Sequence, residues 1–224
     1  DRLRSRGLGD VYKRQMEEKA LKAVKGSLRA IESGEEEACE KLMYGLILSG
    51  LAMQMAGNSR PASGAEHHMS HFWEMEVING PLDALHGEKV SVGTMLVLEE
   101  YKRIAKAISE KRCKVTEYKN SDEELLQETF GKKGILEKIR KENEPELLLE
   151  VQLDRLKECL PEIAEIIEKL PEPEEMKALL EKAGCRRSLN DIGLSDKDKE
   201  LSLRLSPYVR RRLTLMRVSK MLEI

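Results

Sequence analysis

Along most of the chain apolar residues return every third or fourth position, the spacing of helices that bury one face. Residues 17–33 carry Leu21, Val24, Leu28 and Ile31 in such a stripe, and Ser33-Gly-Glu-Glu36 reads as a capping box opening a second helix. From Leu42 to Gly57 there is no charged residue at all. That stretch is short for a membrane span and contains Gly45, Gly50 and Gln54, so a fully buried core helix is predicted. Asn58-Ser-Arg-Pro61 breaks it, and Ser63-Gly-Ala-Glu66 is a further capping box, with Ser63 as N-cap of a helix over about 64–78. Asn79-Gly-Pro81 marks a turn, after which the pattern predicts a long helix from about His86 to Glu110 and a short extended piece over Lys114–Tyr118. Ser121-Asp-Glu-Glu124 caps the next helix, and helical segments follow at 133–143, 145–169, 173–184 and 195–221. Pro161 suits a first helical turn, while Pro171 and Pro173 mark a break. No internal repeat and no run of alternating strands is present. The pattern predicts an all-α helical bundle.

Composition narrows the class further. Only 4% of the residues are aromatic while 36% are charged, which fits helices with a core of Leu, Ile, Met and Ala. A formal net charge of −2 gives no reason to expect nucleic acid or an anionic membrane as partner. Cys39, Cys113, Cys159 and Cys185 lie far apart with no C-x-x-C pair, and read as free buried thiols of a reducing cytosol. The first fifteen residues stand apart: Ser5-Arg-Gly-Leu-Gly-Asp-Val-Tyr-Lys-Arg-Gln15 looks like translated sequencing adaptor, its last six residues back-translating to a transposon end used in library preparation. Residues 1–15 are therefore expected to be non-native and disordered, and 16–224 to form one helical metal-binding domain.

The least even distribution in the chain is that of histidine: all four, His67, His68, His71 and His86, fall within twenty residues. His67 and His71 are four apart, so on a helix they stand one above the other with Cβ atoms roughly 5–6 Å apart. His67 and His68 point about 100° apart and cannot easily share a metal. His86 belongs to another helix, at or near its first turn. Glu66 and Glu88 are near enough in sequence to fix imidazole tautomers, as metal-bound histidines usually require. Spacing alone leaves a surface or core histidine pair open as well. A zinc-protease reading fails, because no Glu follows the first histidine of the pair as H-E-x-x-H demands.

Four strings carry a family resemblance. Ser49-Gly-Leu-Ala-Met53, Asn58-Ser-Arg-Pro-Ala-Ser-Gly-Ala-Glu-His67, the His67-x-x-x-His71 pair and Leu85-His-Gly-Glu-Lys-Val-Ser-Val-Gly-Thr94 together resemble the sn-glycerol-1-phosphate dehydrogenase family. That family belongs with the iron-containing alcohol dehydrogenases, glycerol dehydrogenase and dehydroquinate synthase. Pro207-Tyr-Val-Arg-Arg-Arg-Leu-Thr-Leu-Met-Arg217 resembles the family's last helix. The resemblance implies the helical C-terminal domain of a dehydroquinate synthase-like fold, with His67 and His86 as ligands of a divalent metal (zinc, nickel or iron) and His71 as the catalytic proton carrier. Arg60 is the candidate for the substrate phosphate. It further implies reduction of dihydroxyacetone phosphate to sn-glycerol 1-phosphate by NAD(P)H, for phospholipid biosynthesis, in a cytoplasmic homodimer. Residues 16–60 hold no Asp and no G-x-G-x-x-G, so the family's remaining ligand and its dinucleotide fold are expected upstream of this chain, and the chain alone is expected to be inactive. A dehydroquinate synthase-like lyase, a glycerol dehydrogenase relative and a non-enzymatic helical module are the alternatives.

Overall fold

The computed structural model describes residues 34–224. The adaptor-like segment 1–15, the helix expected over 17–33 and the Ser33 cap lie outside the described residues. These residues form two compact units, one holding residues 34–64 with Lys182–Gly184, the other Ala65–Glu181 with Cys185–Ile224. Both are helical, and the only strands among the described residues are two residues long. The fold is all-α. Among the described residues no helix is long and apolar enough to cross a membrane.

The first unit is built on helix α1 (Glu36–Ala56), followed by a 3-10 turn at Arg60–Ala62. Gly57 ends α1 in the left-handed region, φ 65°, where glycine carries no Cβ penalty. The buried residues of α1 are Ala38, Gly45 and Ala52, seven apart and so on one side of the helix. This corrects the expectation of a fully buried helix. The burying stripe is narrow and made of small residues, and the large side chains off it, Met43, Tyr44, Leu46, Ile47, Leu51 and Met55, are 44–59% exposed.

The second unit opens with α2 (Ala65–Glu74) and α3 (His86–Ser109). Helix α2 buries Ala65, Met69, Phe72 and Trp73 on one face, against Val92 and Leu96 of α3 in a shared core. It stops four residues short of the expected Ile78. Glu76 lies in the left-handed region at φ 53°, and the Asn79 side-chain amide donates to the Trp73 carbonyl at 3.2 Å, satisfying a helix end. Helix α3 begins at the expected residue because the Glu88 carboxylate accepts the Leu85 backbone N–H at 2.8 Å, the reciprocal half of a capping box.

Gly93 sets how closely these two helices approach. A Cβ at this position would lie 2.7 Å from the backbone oxygen of Glu66 and 3.3 Å from the Met69 Cβ, so only glycine fits without moving a helix. Gly93→Ala is expected to destabilise the chain by about 2 kcal/mol, overpacking of up to ~3 kcal/mol outweighing a gain of ~1 kcal/mol in helix propensity. Among the described residues, nothing beyond its own turn of helix comes within 4 Å of a Cβ at Gly87 of the same helix, so Gly87→Ala serves as the control that retains stability. Chemical denaturation measures both, and a Gly93→Ala chain as stable as the control would refute the close approach.

The rest of the unit comprises α4 (Glu123–Gly131), α5 (Leu136–Asn143), α6 (Leu153–Glu168), α7 (Pro173–Lys182), α8 (Asp198–Leu205) and α9 (Leu215–Val218). Strands β1 (Lys114–Val115) and β2 (Leu222–Glu223) pair antiparallel. Phe72 meets Phe130 of α4 edge-on at 5.8 Å, and the Trp73 indole donates to the Ser202 hydroxyl of α8 at 2.8 Å.

Several expected boundaries are corrected. The helix predicted over 195–221 is interrupted: Pro207 lies in a 3-10 turn at Ser206–Tyr208, and only Leu215–Val218 returns to α-helix. The segment 145–169 begins with a 3-10 turn at Leu147–Glu150 before α6, and Pro161 sits inside α6, not in its first turn. Asp122 occupies the N-cap of α4 without capping it. Its carboxylate instead accepts from Arg204 at 2.6 Å and Tyr208 at 3.1 Å and pairs with Lys220. Burial pushes the Asp122 carboxyl up, but Lys220 and Arg204 outweigh it and hold the group below the usual range. None of the four cysteines is buried: Cys39 is exposed and the other three are half-buried, none in a disulfide.

A second polar knot closes the C-terminal end. Arg217, fully buried, donates through Nη2 and Nε to both oxygens of Glu146 at 2.7 and 3.0 Å. Its Nη1 reaches Asn143 Oδ1 at 2.6 Å and the Pro207 carbonyl at 3.1 Å. Every one of its nitrogens has a partner, as a buried guanidinium requires.

Candidate metal centre

Three of the four histidines converge. His67 and His71 stand one turn apart on α2, and His86 is the first residue of α3. The close helix crossing at Gly93 brings the His86 ring centroid to 5.6 Å from that of His67 and 5.2 Å from that of His71. His86 is the most open of the three, 46% exposed, with His71 at 35% and His67 at 25%.

His68 faces the other way. It is 1% exposed, and neither ring nitrogen has a hydrogen-bond partner among the described residues. Burial, aided by the positive field of Arg212, brings its pKa down to about 4, so the ring is neutral at ordinary pH. Arg60 belongs to the first unit, exposed at the start of its 3-10 turn, its backbone N–H bonded to the Asn58 side chain at 3.0 Å.

Each converging imidazole has its Nδ1 against a carboxylate. Glu66 Oε1 lies 2.8 Å from His67 Nδ1. Glu74 serves the other two, with Oε2 at 2.9 Å from His71 Nδ1 and Oε1 at 2.8 Å from His86 Nδ1. Lys89 Nζ sits 3.1 Å from Glu74 Oε1, and the buried Ser70 hydroxyl is 3.4 Å from the same atom. Partial burial raises the Glu74 pKa, but hydrogen bonds from His86, His71 and Lys89 overcome this and bring it down to about 2.

Glu74 is the residue that sequence reasoning missed. Glu88, chosen for its nearness to His86 in sequence, is occupied elsewhere: it caps α3 and lies 3.3 Å from Arg186 Nε. Two i, i+3 pairs signalled the actual arrangement, His71 with Glu74 on α2 and His86 with Lys89 on α3. Only the crossing of the two helices joins them.

This donor set suits a divalent first-row ion, for which imidazole and carboxylate are the usual ligands. Ligand atoms of His71, Glu74 and His86 all lie within 4.8 Å of one another. His67 adds a third imidazole beside His86.

Comparison with known proteins finds relatives that share one name. The chain is 32% identical over 204 residues to a glycerol-1-phosphate dehydrogenase (NAD(P)+) of Geobacillus stearothermophilus, covering 90% of this chain and 43% of that protein. It is 33% identical over 189 residues to the enzyme of that name from Halalkalibacterium halodurans, covering 83% and 39%. With the one from Pyrococcus horikoshii it shares 48% identity over 67 residues, 30% of this chain and 18% of the relative. The chain thus spans less than half the length of these curated relatives. No family model and no solved structure matches it.

Proposed function

We propose that this chain, a homologue of the glycerol-1-phosphate dehydrogenases over nine-tenths of its length, supplies the metal-holding and proton-handling part of an enzyme that reduces dihydroxyacetone phosphate to sn-glycerol 1-phosphate with NAD(P)H. The observation that carries this reading is the convergence of His67, His71 and His86, each backed at Nδ1 by a carboxylate. Imidazoles so backed at Nδ1 keep Nε2 for another partner, as both metal ligation and proton transfer require.

In this reading His67 and His86 hold zinc, nickel or iron. When bound, such an ion supplies Lewis acidity toward the substrate ketone. His71 carries the proton delivered to the oxygen that becomes the new hydroxyl: its Nδ1–H ring takes a proton on Nε2, becoming imidazolium, and gives it up from there while Nδ1 stays against Glu74. The chain's own alternative donor set is His71, Glu74 and His86, favoured by their mutual nearness. Arg60 is proposed for the substrate phosphate, since a guanidinium matches phosphate oxygens in pairs. Among the described residues there is no parallel sheet of the dinucleotide-binding kind, so the nicotinamide cofactor is assigned no residue here. The whole enzyme is proposed to be a cytoplasmic homodimer acting on this small phosphorylated substrate.

Chelation tests the reading. In a full-length protein containing this chain, dihydroxyacetone-phosphate-dependent oxidation of NADH is expected to disappear on treatment with a strong chelator and to return on adding zinc, nickel or ferrous ion. Turnover that survives complete metal removal would refute the metal role.

A further inference from the structure

We propose that Glu74 is a positioning residue that sets the tautomers of His71 and His86 together, leaving the lone pair of each neutral ring on Nε2. The consequence for metal binding rests on the function proposed above; the tautomers themselves do not.

The argument is one of donor and acceptor accounting. An ionised carboxylate can only accept hydrogen bonds. Glu74 receives His86 Nδ1 on one oxygen at 2.8 Å and His71 Nδ1 on the other at 2.9 Å. Both Nδ1 atoms must therefore carry the proton, which leaves a lone pair on each Nε2. Lys89, only 11% exposed, lies 3.1 Å from the same Glu74 oxygen that meets His86, a cation beside the carboxylate. Ser70, fully buried, has its hydroxyl 3.4 Å from the same oxygen and 3.2 Å from His86 Nδ1, where a hydroxyl oxygen can accept the Nδ1–H as a second partner. A free imidazole has no such bias, and two independent rings would each have to be ordered separately. One carboxylate orders both, at the point where two helices meet.

His67 provides an internal control, because its Nδ1 partner is Glu66 and not Glu74. The experiment is a long-range proton–nitrogen correlation spectrum of the metal-free, nitrogen-15-labelled chain at alkaline pH, which separates the two tautomers of each ring. In the unaltered chain His71 and His86 are expected as the Nδ1–H form. In Glu74→Ala both are expected to turn over to the Nε2–H form, while His67 stays unchanged. Glu74→Gln makes a sharper demand. A carboxamide offers an oxygen to one ring and an N–H to the other, so one histidine should keep its tautomer and the other should lose it. Unchanged spectra in Glu74→Ala, or Nε2–H rings in the unaltered chain, would overturn the proposal. So would a simultaneous change in His67, which would point to general collapse of the site.

Zinc titration of the same three chains separates this idea from the metal reading. Loss of the orienting carboxylate should weaken zinc binding about 10- to 100-fold in Glu74→Ala. Tautomers that respond while zinc affinity does not would uphold Glu74 as positioner and refute the metal site. Zinc binding lost far beyond a hundredfold in both variants would make Glu74 a direct ligand and overturn the positioning role.

Discussion

Replacing His86 by alanine in a full-length protein containing this chain is expected to cut turnover of dihydroxyacetone phosphate at least about a thousandfold, equal to ~4 kcal/mol of transition-state stabilisation. His86 is the only one of the three converging imidazoles contributed by α3, and its ring lies within 5.6 Å of both others. Every proposed donor set, His67 with His86 or His71 with Glu74 and His86, loses a member when it goes. The substitution should leave the scaffold alone. Its side chain is nearly half exposed, and α3 is capped by Glu88 through the Leu85 N–H, a contact that does not involve the ring. Far-UV circular dichroism and the denaturation midpoint are therefore expected to match those of the parent. Steady-state kinetics with saturating substrate and added zinc is the measurement. Activity within tenfold of the parent would remove His86 from the site.

The largest structural effect is expected at Arg217. Arg217→Met should destabilise the chain by roughly 3–5 kcal/mol, because it removes the buried cation that faces the Glu146 carboxylate and Asn143 Oδ1. Glu146 would lose both of its short guanidinium contacts, and Asn143 and the Pro207 carbonyl would each lose a donor. Equilibrium unfolding in urea reads the loss. A double variant, Arg217→Met with Glu146→Leu, tests the cause: removing the stranded carboxylate should recover part of the deficit, since an apolar pair of similar volume often replaces a buried ion pair at little cost. A single variant within 1 kcal/mol of the parent would show that the buried pair contributes little.

What could be read from the chain follows the range of the forces involved. The helices and most of their starts were legible, because periodicity and capping act within a turn or two; α3 begins at His86, where the pattern after the Asn79-Gly-Pro81 turn places it. The pairing of His67 with His71 was legible for the same reason. Asp122 looked like part of a cap because its neighbours fit one, yet its partners Arg204, Tyr208 and Lys220 lie 82 to 98 positions away. No local pattern contains that information. The role of Glu74 was hidden differently: its partner His86 is close in the chain, but the contact exists only because α2 and α3 cross at Gly93. The apolar run of α1 was read as buried from its lack of charge, whereas burial depends on what lies against it. Only the stripe through Ala38, Gly45 and Ala52 is covered.

The notch at Gly93 bears on how a metal ion would enter and leave. The spacing of the rings on α2 and α3 is gauged by backbone against backbone, Glu66 oxygen beneath Gly93, and not by a ligand the rings share. Small zinc domains fold only when the ion arrives, so their metal is a keystone. In the metal site proposed above, an ion would be a guest and not a keystone. One divalent ion is then expected to exchange for another without the chain unfolding, which the denaturation midpoint with and without added zinc would measure.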